Sequence, residues 1–219
     1  ADLDFNYTIS PVSTVYGEKS LIPSISSVTN LGQDVQISAV SSSYNGNYII
    51  GGSFESSLEL GTDTFSSEGN SNGFISQVGI NGKSIRSIQL IGSGELSVDG
   101  IQSSADGDHY IFGEFTSGLR VGTYEISSMG GSDLFILQWG KNGELKNLSA
   151  VGGSSDEYFS DGLLFENNLY LTGQFEETFS YGSKSVSSKG AKDGFVMQLP
   201  LVDPSIVNWF LGFGGSENE

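Results

Sequence analysis

Apolar and polar residues alternate along much of this chain. The segments FISQVGI at 74–80 and SIRSIQLIG at 84–92 are the clearest cases, and alternation of this kind is typical of a strand with one buried face. No segment carries the 3.6-residue apolar stripe of an amphipathic helix. The pattern therefore predicts an all-β protein with negligible helix.

Turn residues separate the predicted strands. Asn81–Gly82 and Asn142–Gly143 lie between alternating segments. Asn-Gly in that position is typical of a two-residue type I′ hairpin turn, in which both central residues need a positive φ. We therefore expect two hairpins of this type.

The chain repeats itself at intervals of about 60 residues. A Gly-x-Phe motif begins at Gly52, Gly113 and Gly173, with separations of 61 and 60 residues. Each copy continues with a second Gly, a Ser-Ser pair, an aligned Phe, an aligned Gln and a turn. Each unit is interpreted as four antiparallel strands and a small hairpin, so the chain is expected to hold about 14 main strands.

This order of motifs resembles the bacterial extracellular β-propeller repeat, often called the seven-bladed β-propeller repeat. Residues 113–162 match it best, and the resemblance covers most of 35–219. The resemblance implies four-stranded antiparallel blades of a β-propeller, in about three and a half repeats of ~60 residues. It also implies a secreted or surface protein, and it brings no catalytic residues with it. One departure is Asn72, which stands where the other units have Asp.

The repeat divides the chain into four parts. Residues 1–34 parallel the second half of a unit, and full units follow at 35–96, 97–156 and 157–219. The partial unit would leave a sheet edge that proteins rarely leave bare. Three explanations stay open: the chain is part of a longer propeller, two chains complete one ring, or copies stack in a larger assembly.

The amino-acid composition restricts which partners and which cellular location are expected for this chain. Asp and Glu total 26 against 9 Lys and Arg, for a formal charge of −17. A chain this acidic repels nucleic acid and anionic membranes. No apolar run reaches the ~18 residues of a membrane helix, and the chain shows no signal peptide. With the repeat, this favours an extracellular or cell-surface protein.

Cysteine is absent from the chain, which excludes disulfides, thiolate catalysis and cysteine-based metal sites. His109 is the only histidine. A Ser-His-Asp triad would have to use it, and no Gly-x-Ser-x-Gly elbow is present. With no catalytic constellation in the sequence, we expect a protein that is not an enzyme and that has no cofactor apart from the Ca²⁺ candidate below.

Two groups of carboxylates are weak candidates for a cation site. Asp106 and Asp108 lie beside His109 in a turn, and Asp156 and Asp161 lie at the junction of the second and third units. Ca²⁺ is the candidate ion, because it takes several oxygen ligands from such loops. The spacing fits no EF-hand, and a plain polar turn is the favoured alternative.

Neighbouring acids extend the second group. Glu157 lies within it, and Glu95 and Asp99 are predicted to fill the places of Glu157 and Asp161 in the preceding junction.

Aromatic residues and glycosylation sequons add little to this picture. Trp139 and Trp209 could stack on sugars, but both lie in strand patterns that favour core packing. Asn6 and Asn147 match the N-glycosylation sequon and are expected to be unmodified in a bacterial chain.

Together these features favour a non-enzymatic extracellular repeat protein with a structural, adhesive or protein-interaction role. Its expected partners are other copies of itself or the rest of a longer propeller. A glycan-binding propeller, which would hold a surface glycan in loops at one face, is the alternative. A propeller hydrolase is the least favoured function.

Overall fold

A computed structural model describes residues 34–43, 46–67 and 72–216. The described residues form sixteen strands: β1 (Val35–Ser42), β2 (Tyr48–Phe54), β3 (Ser57–Leu60), β4 (Asp63–Ser66), β5 (Asn72–Val78), β6 (Ser84–Gly92), β7 (Gly100–Ser103), β8 (His109–Val121), β9 (Tyr124–Trp139), β10 (Leu145–Gly153), β11 (Glu157–Phe165), β12 (Asn168–Phe175), β13 (Thr178–Tyr181), β14 (Lys184–Ser187), β15 (Asp193–Pro200) and β16 (Trp209–Phe213). These residues contain no helix, and so none that could cross a membrane. The prediction of an all-β protein is confirmed.

The strands pair into a ten-stranded, a four-stranded and a two-stranded antiparallel sheet. Within the first two of these sheets, one group of four strands falls in each predicted unit. Their orders are β1-β2-β5-β6 in unit 1 (35–96), β7-β8-β9-β10 in unit 2 (97–156) and β11-β12-β15-β16 in unit 3 (157–219). Twelve of the expected main strands are thus present. The other two fall in the partial unit at 1–34, which lies outside the described residues apart from Asp34.

The small hairpin of each unit is also present. β3 and β4 form it in unit 1, and β13 and β14 form it in unit 3. In unit 2 it is the continuous outer part of β8 and β9, where Val121 stands opposite Tyr124. Each turn begins with a glycine at positive φ, Gly61, Gly122 or Gly182. A glycine at the first of two turn residues is typical of a type II′ turn.

The Asn-Gly turns differ from the prediction. Gly82 and Gly143 have positive φ, but Asn81 and Asn142 do not. In the first turn the Gly79 N–H donates to the Lys83 carbonyl at 2.9 Å, and the Gly82 N–H donates back to the Gly79 carbonyl at 2.9 Å. This is a three-residue loop that ends in a glycine bulge. The type I′ prediction was therefore wrong here.

A type I′ geometry occurs elsewhere, at Glu166–Asn167 between β11 and β12. Both residues have positive φ, 47° and 62°, and Phe165 stands opposite Asn168. An asparagine tolerates this left-handed conformation better than most residues. This two-residue hairpin is thus formed without a glycine.

The glycine of the Gly-x-Phe motif is required by a close approach of two strands. At Gly113 an added Cβ would overlap the carbonyl oxygen of Ser97, on the chain segment that leads into β7. The same overlap, with Gln36 and with Tyr158, would occur at Gly52 and Gly173. Any side chain would push the first strand of the unit away, which explains why this glycine recurs.

Two hydrophobic cores lie between the units. The first joins Ile49, Ile75 and Leu90 of unit 1 to residues of unit 2 that include Ile111 and Phe135. The second joins the opposite face of unit 2, through Tyr110, Phe112 and Ile136, to unit 3 residues Leu171 and Phe195. The motif residues Phe54, Phe115 and Phe175 are all buried. Alternate residues of one unit therefore contribute to the two cores on either side of it.

Strand pairing also links the units. Gly92 at the end of β6 stands opposite Leu119 in the hairpin of unit 2. Gly153 at the end of β10 stands opposite Phe179 in the hairpin of unit 3. The hairpins of units 2 and 3 thus each pair with the last strand of the preceding unit. Within the described residues the strands do not close into a barrel or a ring.

Candidate functional site

The most unusual chemical group in the described residues is a buried pair of carboxyls at the junction of units 2 and 3. Asp133 lies in β9, and Glu157 begins β11 directly after the connecting loop. Neither residue has any exposed surface. The Gly153 N–H donates to Asp133 Oδ1 at 3.2 Å and to Glu157 Oε2 at 2.9 Å. One backbone donor therefore joins both carboxyls.

Local backbone groups hold this pair in place. Asp133 Oδ2 accepts from the Met129 N–H and from the Gly130 N–H, the latter at 3.3 Å. Gly152 has no room for a side chain, because a Cβ there would overlap both carboxyls. The two acids thus explain Gly152, while Gly153 is explained by the Thr178 carbonyl oxygen, which a Cβ there would overlap.

The electrostatics of the pair favour a bound proton. Burial raises the pKa of Glu157, and the hydrogen bond to Asp133 and the charges of Asp133 and Asp156 raise it further, to about 9. The Gly153 N–H acts in the opposite direction. Glu157 is therefore neutral at pH 7. A perturbed acid is a functional candidate in general, but this one has no surface with which to contact a substrate.

The Asp133 position is structural in every unit. In unit 1 Asn72 Oδ1 accepts from the Gly92 N–H at 3.2 Å, as Asp133 does from Gly153. In unit 3 Asp193 Oδ2 accepts from the Lys189 N–H at 2.8 Å. An amide replaces the acid in unit 1 without loss of the bond, so the departure seen in the sequence is a conservative one.

Pairing in the sheets corrects the predicted match between the two junctions. Leu96 stands opposite Phe115, and Glu157 stands opposite Phe175. Leu96 therefore takes the place of Glu157, and Glu95 takes that of Asp156. The prediction that Glu95 matches Glu157 was wrong by one residue, because strand register, and not the similarity of the two acids, decides which residues are equivalent.

The predicted cation ligands at this junction bind protein groups. Asp156 Oδ1 accepts from the Ser132 N–H at 2.8 Å, and its Oδ2 accepts from the Tyr158 hydroxyl at 3.2 Å. Asp161 is exposed, and its Oδ1 accepts from the Gly162 N–H at 2.8 Å. These bonds fix loop geometry and occupy oxygens that a cation would need.

The second predicted group, at the turn before β8, is built around an ion pair. Asp106 is exposed, whereas Asp108 is nearly buried. Lys146 Nζ lies 2.8 Å from Asp108 Oδ2, and Gln138 Nε2 donates to the same oxygen at 2.8 Å. Burial alone would raise the pKa of Asp108, but these bonds outweigh it and lower the pKa. Asp108 is therefore a charged, fully paired acid.

His109 is a core residue. It has no exposed surface, its Nδ1 lies 2.9 Å from the Ser103 hydroxyl, and its ring lies 6.0 Å from that of Trp139. Burial, with a smaller effect of Arg86, lowers its pKa to about 4, while Asp108 opposes the change. The imidazole is therefore neutral at pH 7.

The four cation candidates do not converge. In the described part of the chain, no group of three or more acidic or histidine side chains is arranged to hold a metal ion. Asp106 and Asp108 belong to the turn before β8, while Asp156 and Asp161 belong to the start of unit 3.

An open cleft of about 840 Å³ lies where residues 94–97, at the boundary of units 1 and 2, meet β8 and β9. Hydroxyl and carboxylate side chains line it, from Glu95, Ser97, Glu114, Thr116 and Ser132. Burial raises the pKa of Glu114, although its bond from the Phe159 N–H acts in the other direction. Sequence reasoning missed this cleft, because its walls come from separate segments with no shared motif.

The two tryptophans have different environments. Trp139 is buried, and its Nε1 donates to the Gly143 carbonyl at 2.9 Å. The prediction of core packing is confirmed for it. Trp209 is only partly buried, with its ring 6.1 Å from that of Tyr170, so core packing was wrong for this residue. Asn147 lies half-buried in β10, and Asn6 lies outside the described residues.

Comparison with known proteins identifies no relative. No protein-family model matches the chain, and no curated protein matches it.

Proposed function

We propose that this chain is a non-enzymatic extracellular repeat protein with a structural, adhesive or protein-interaction role at the cell surface. The observation that carries the proposal is where the recurring residues lie. The repeated glycines, phenylalanines and Asp or Asn residues make strand contacts, fill the cores between units or bind backbone N–H groups. The residues that recur in the three units are thus mainly those that pack strands and units together.

We also propose that the three units are consecutive blades of a β-propeller of the bacterial extracellular repeat family. Two contacts support a radial order. β7, the first strand of unit 2, contacts β1 and β11, the first strands of its neighbours. The last strands β6 and β10 bind the next unit's hairpin. Successive four-stranded sheets that meet along their first strands are typical of propellers.

Four of the titratable groups described above support a non-enzymatic role. Asp108 is paired with Lys146, and Asp133 and Glu157 are bound to backbone groups without exposed surface. His109 is a buried neutral ring. A general acid or base must come within hydrogen-bond reach of its substrate, and these four side chains are enclosed or paired.

Surface labelling tests the proposed role. Intact cells that express the natural protein are treated with a membrane-impermeant amine reagent, and the chain is recovered with an antibody. The chain contains Lys residues such as Lys83 and Lys184 that can react. Labelling without cell lysis is expected. If the chain is labelled only after lysis, a surface role is ruled out.

Glycan binding is the second candidate, favoured by the open cleft. Hydroxyl and carboxylate groups such as those of Ser97, Glu114 and Thr116 are suited to the hydroxyls of a sugar. Saturable binding of one sugar class on a glycan array, lost in Thr116→Val, would favour this function. Binding to no sugar would leave the structural role.

A further inference from the structure

The described residues leave one face of unit 3 uncovered. Residues that stand opposite each other across β11, β12, β15 and β16 point to the same side of the sheet. On one side these include Leu163, Tyr170, Val196, Trp209, Leu211 and Phe213. Leu163, Leu211 and Phe213 are exposed over 58%, 50% and 56% of their surface. Clustered apolar exposure of this kind marks an interaction surface.

Comparison of the three units indicates which surface this face of unit 3 would bind. Leu90, Val151 and Phe213 occupy one repeat position, opposite Gly73, Leu134 and Gly194. Leu90 and Val151 have no exposed surface, because the next unit covers them. Only Phe213 is exposed.

The described residues also leave the complementary face of unit 1 open. Val40 stands opposite Ile50, as Ile101 stands opposite Ile111 in unit 2. Ile101 is buried in the core between units 1 and 2, whereas Val40 is 66% exposed. Tyr48 and Ile37 on the same strands are also exposed. The two ends of the described array thus present the two halves of one interface.

The strand pairing that joins neighbouring units is also incomplete at unit 1 and at unit 3 of the described residues. Gly214 packs against Asp193 in the same way that Gly152 packs against Asp133. Gly214 therefore follows β16 at the position that corresponds to the end of β10, where the hairpin of unit 3 pairs. The corresponding donor in unit 1 is β3, which among the described strands pairs only with β4. The free edge of β3 and the unpaired segment after β16 can each pair with a strand of another molecule.

From these observations we infer that the uncovered face of unit 3 binds the unit 1 face of a second copy, so that copies associate head to tail. The partner's β3 would pair beside Gly214, and its Val40 side would cover Leu211 and Phe213. A contact between two different faces leaves each copy with one free end, so it produces chains or rings. This inference rests on the proposed interaction role and names the surface involved.

Sedimentation velocity of the full chain tests the inference, over roughly 1 to 200 μM, a range that spans micromolar affinities. The wild type is expected to associate as concentration rises. Association should strengthen in higher salt, because salt screens the repulsion between copies with a formal charge of −17.

The variant Leu163→Asp/Leu211→Asp places two charges on the proposed face and should sediment as a monomer. Ile80→Asp/Val202→Asp adds the same charge at residues that are 83% and 93% exposed in turns and should associate like the wild type. Near-ultraviolet circular dichroism checks that both are folded. If the first variant does not fold, Leu211→Thr, which keeps a strand-forming residue, should still weaken association several-fold.

A wild type that stays monomeric at every concentration overturns the inference, including the case in which residues of the same chain cover the face. Association that persists in Leu163→Asp/Leu211→Asp overturns it as well, since another surface must then be responsible. Neither result depends on surface labelling of cells, so failure of this interface can be told apart from failure of the proposed role.

Discussion

The carboxyl groups of Asp133 and Glu157 accept hydrogen bonds from a single backbone N–H, that of Gly153, at 3.2 and 2.9 Å. Asp133 belongs to the third strand of unit 2, and Glu157 to the first strand of unit 3. This contact therefore fastens two units together. It also makes the stability of the junction depend on a proton.

The pH dependence follows from the pKa of Glu157, which burial and Asp133 raise to about 9 from an ordinary value of 4.5. Between these values the folded state holds a proton that the unfolded state releases. The free energy of unfolding should therefore fall as pH rises through this window, by at most about 1.4 kcal/mol per pH unit.

His109 contributes the opposite slope at lower pH. Its pKa is about 4 when folded against an ordinary 6.5, so the unfolded state binds a proton first and stability falls as pH drops from 6.5 to 4. The two effects oppose each other between pH 4.5 and 6.5, and of the two only that of Glu157 acts from 6.5 to 9. Glu157→Gln should flatten the decline there in urea titrations. The exposed control Glu125→Gln should retain it.

Emptying a core site should be costly. Phe135 has no exposed surface and packs edge-on against Phe115, with ring centres 6.4 Å apart. Phe135→Ala is expected to lower the free energy of unfolding by ~3–5 kcal/mol. Met129→Ala removes a side chain that is 52% exposed and should have little effect. If both variants melt with the wild type, the assignment of Phe135 to the core is wrong.

The structural role of the repeated glycine can be tested by adding one methyl group to it. In Gly113→Ala the new Cβ meets the Ser97 carbonyl oxygen and lies 2.9 Å from the Phe135 ring, so we expect a loss of about 1–3 kcal/mol through overpacking. Gly118→Ala, in the same strand, would meet only the Ser93 side chain closely, and rotation of that side chain should relieve the contact. Equal losses in the two variants would contradict the close-approach explanation.

The ion pair at the turn before β8 should stabilise the fold moderately. Lys146 is partly exposed, and Asp108 is nearly buried, so the pair lies between the limits for exposed and buried pairs. Lys146→Met should cost about 1–2 kcal/mol at pH 7, since Asp108 loses its cation. Lys184→Met removes the same charge from β14 and serves as the control. No difference between them would mean that solvent replaces Lys146 fully.

The sequence predicted the period, the four strands of each unit and the burial of the repeated phenylalanines, because these depend on local pattern. It did not predict the pairing of Asp133 with Glu157, since their contact depends on how two units pack. The prediction of type I′ turns at Asn-Gly was wrong for a related reason. One extra loop residue changes the turn type although the Asn-Gly pair is the same. The match of Glu95 to Glu157 failed because strand register, which sequence spacing does not reveal, decides equivalence.

The central claim is that like units are joined in series by one repeated interface. An experimental structure of the full chain tests it most directly, through superposition of unit 1 with unit 2 and of unit 2 with unit 3. We expect the four strands of each unit to superimpose, with Phe54, Phe115 and Phe175 at one position and the same rotation relating each pair of neighbours. Phenylalanines at unlike positions, or two different rotations, would contradict the account.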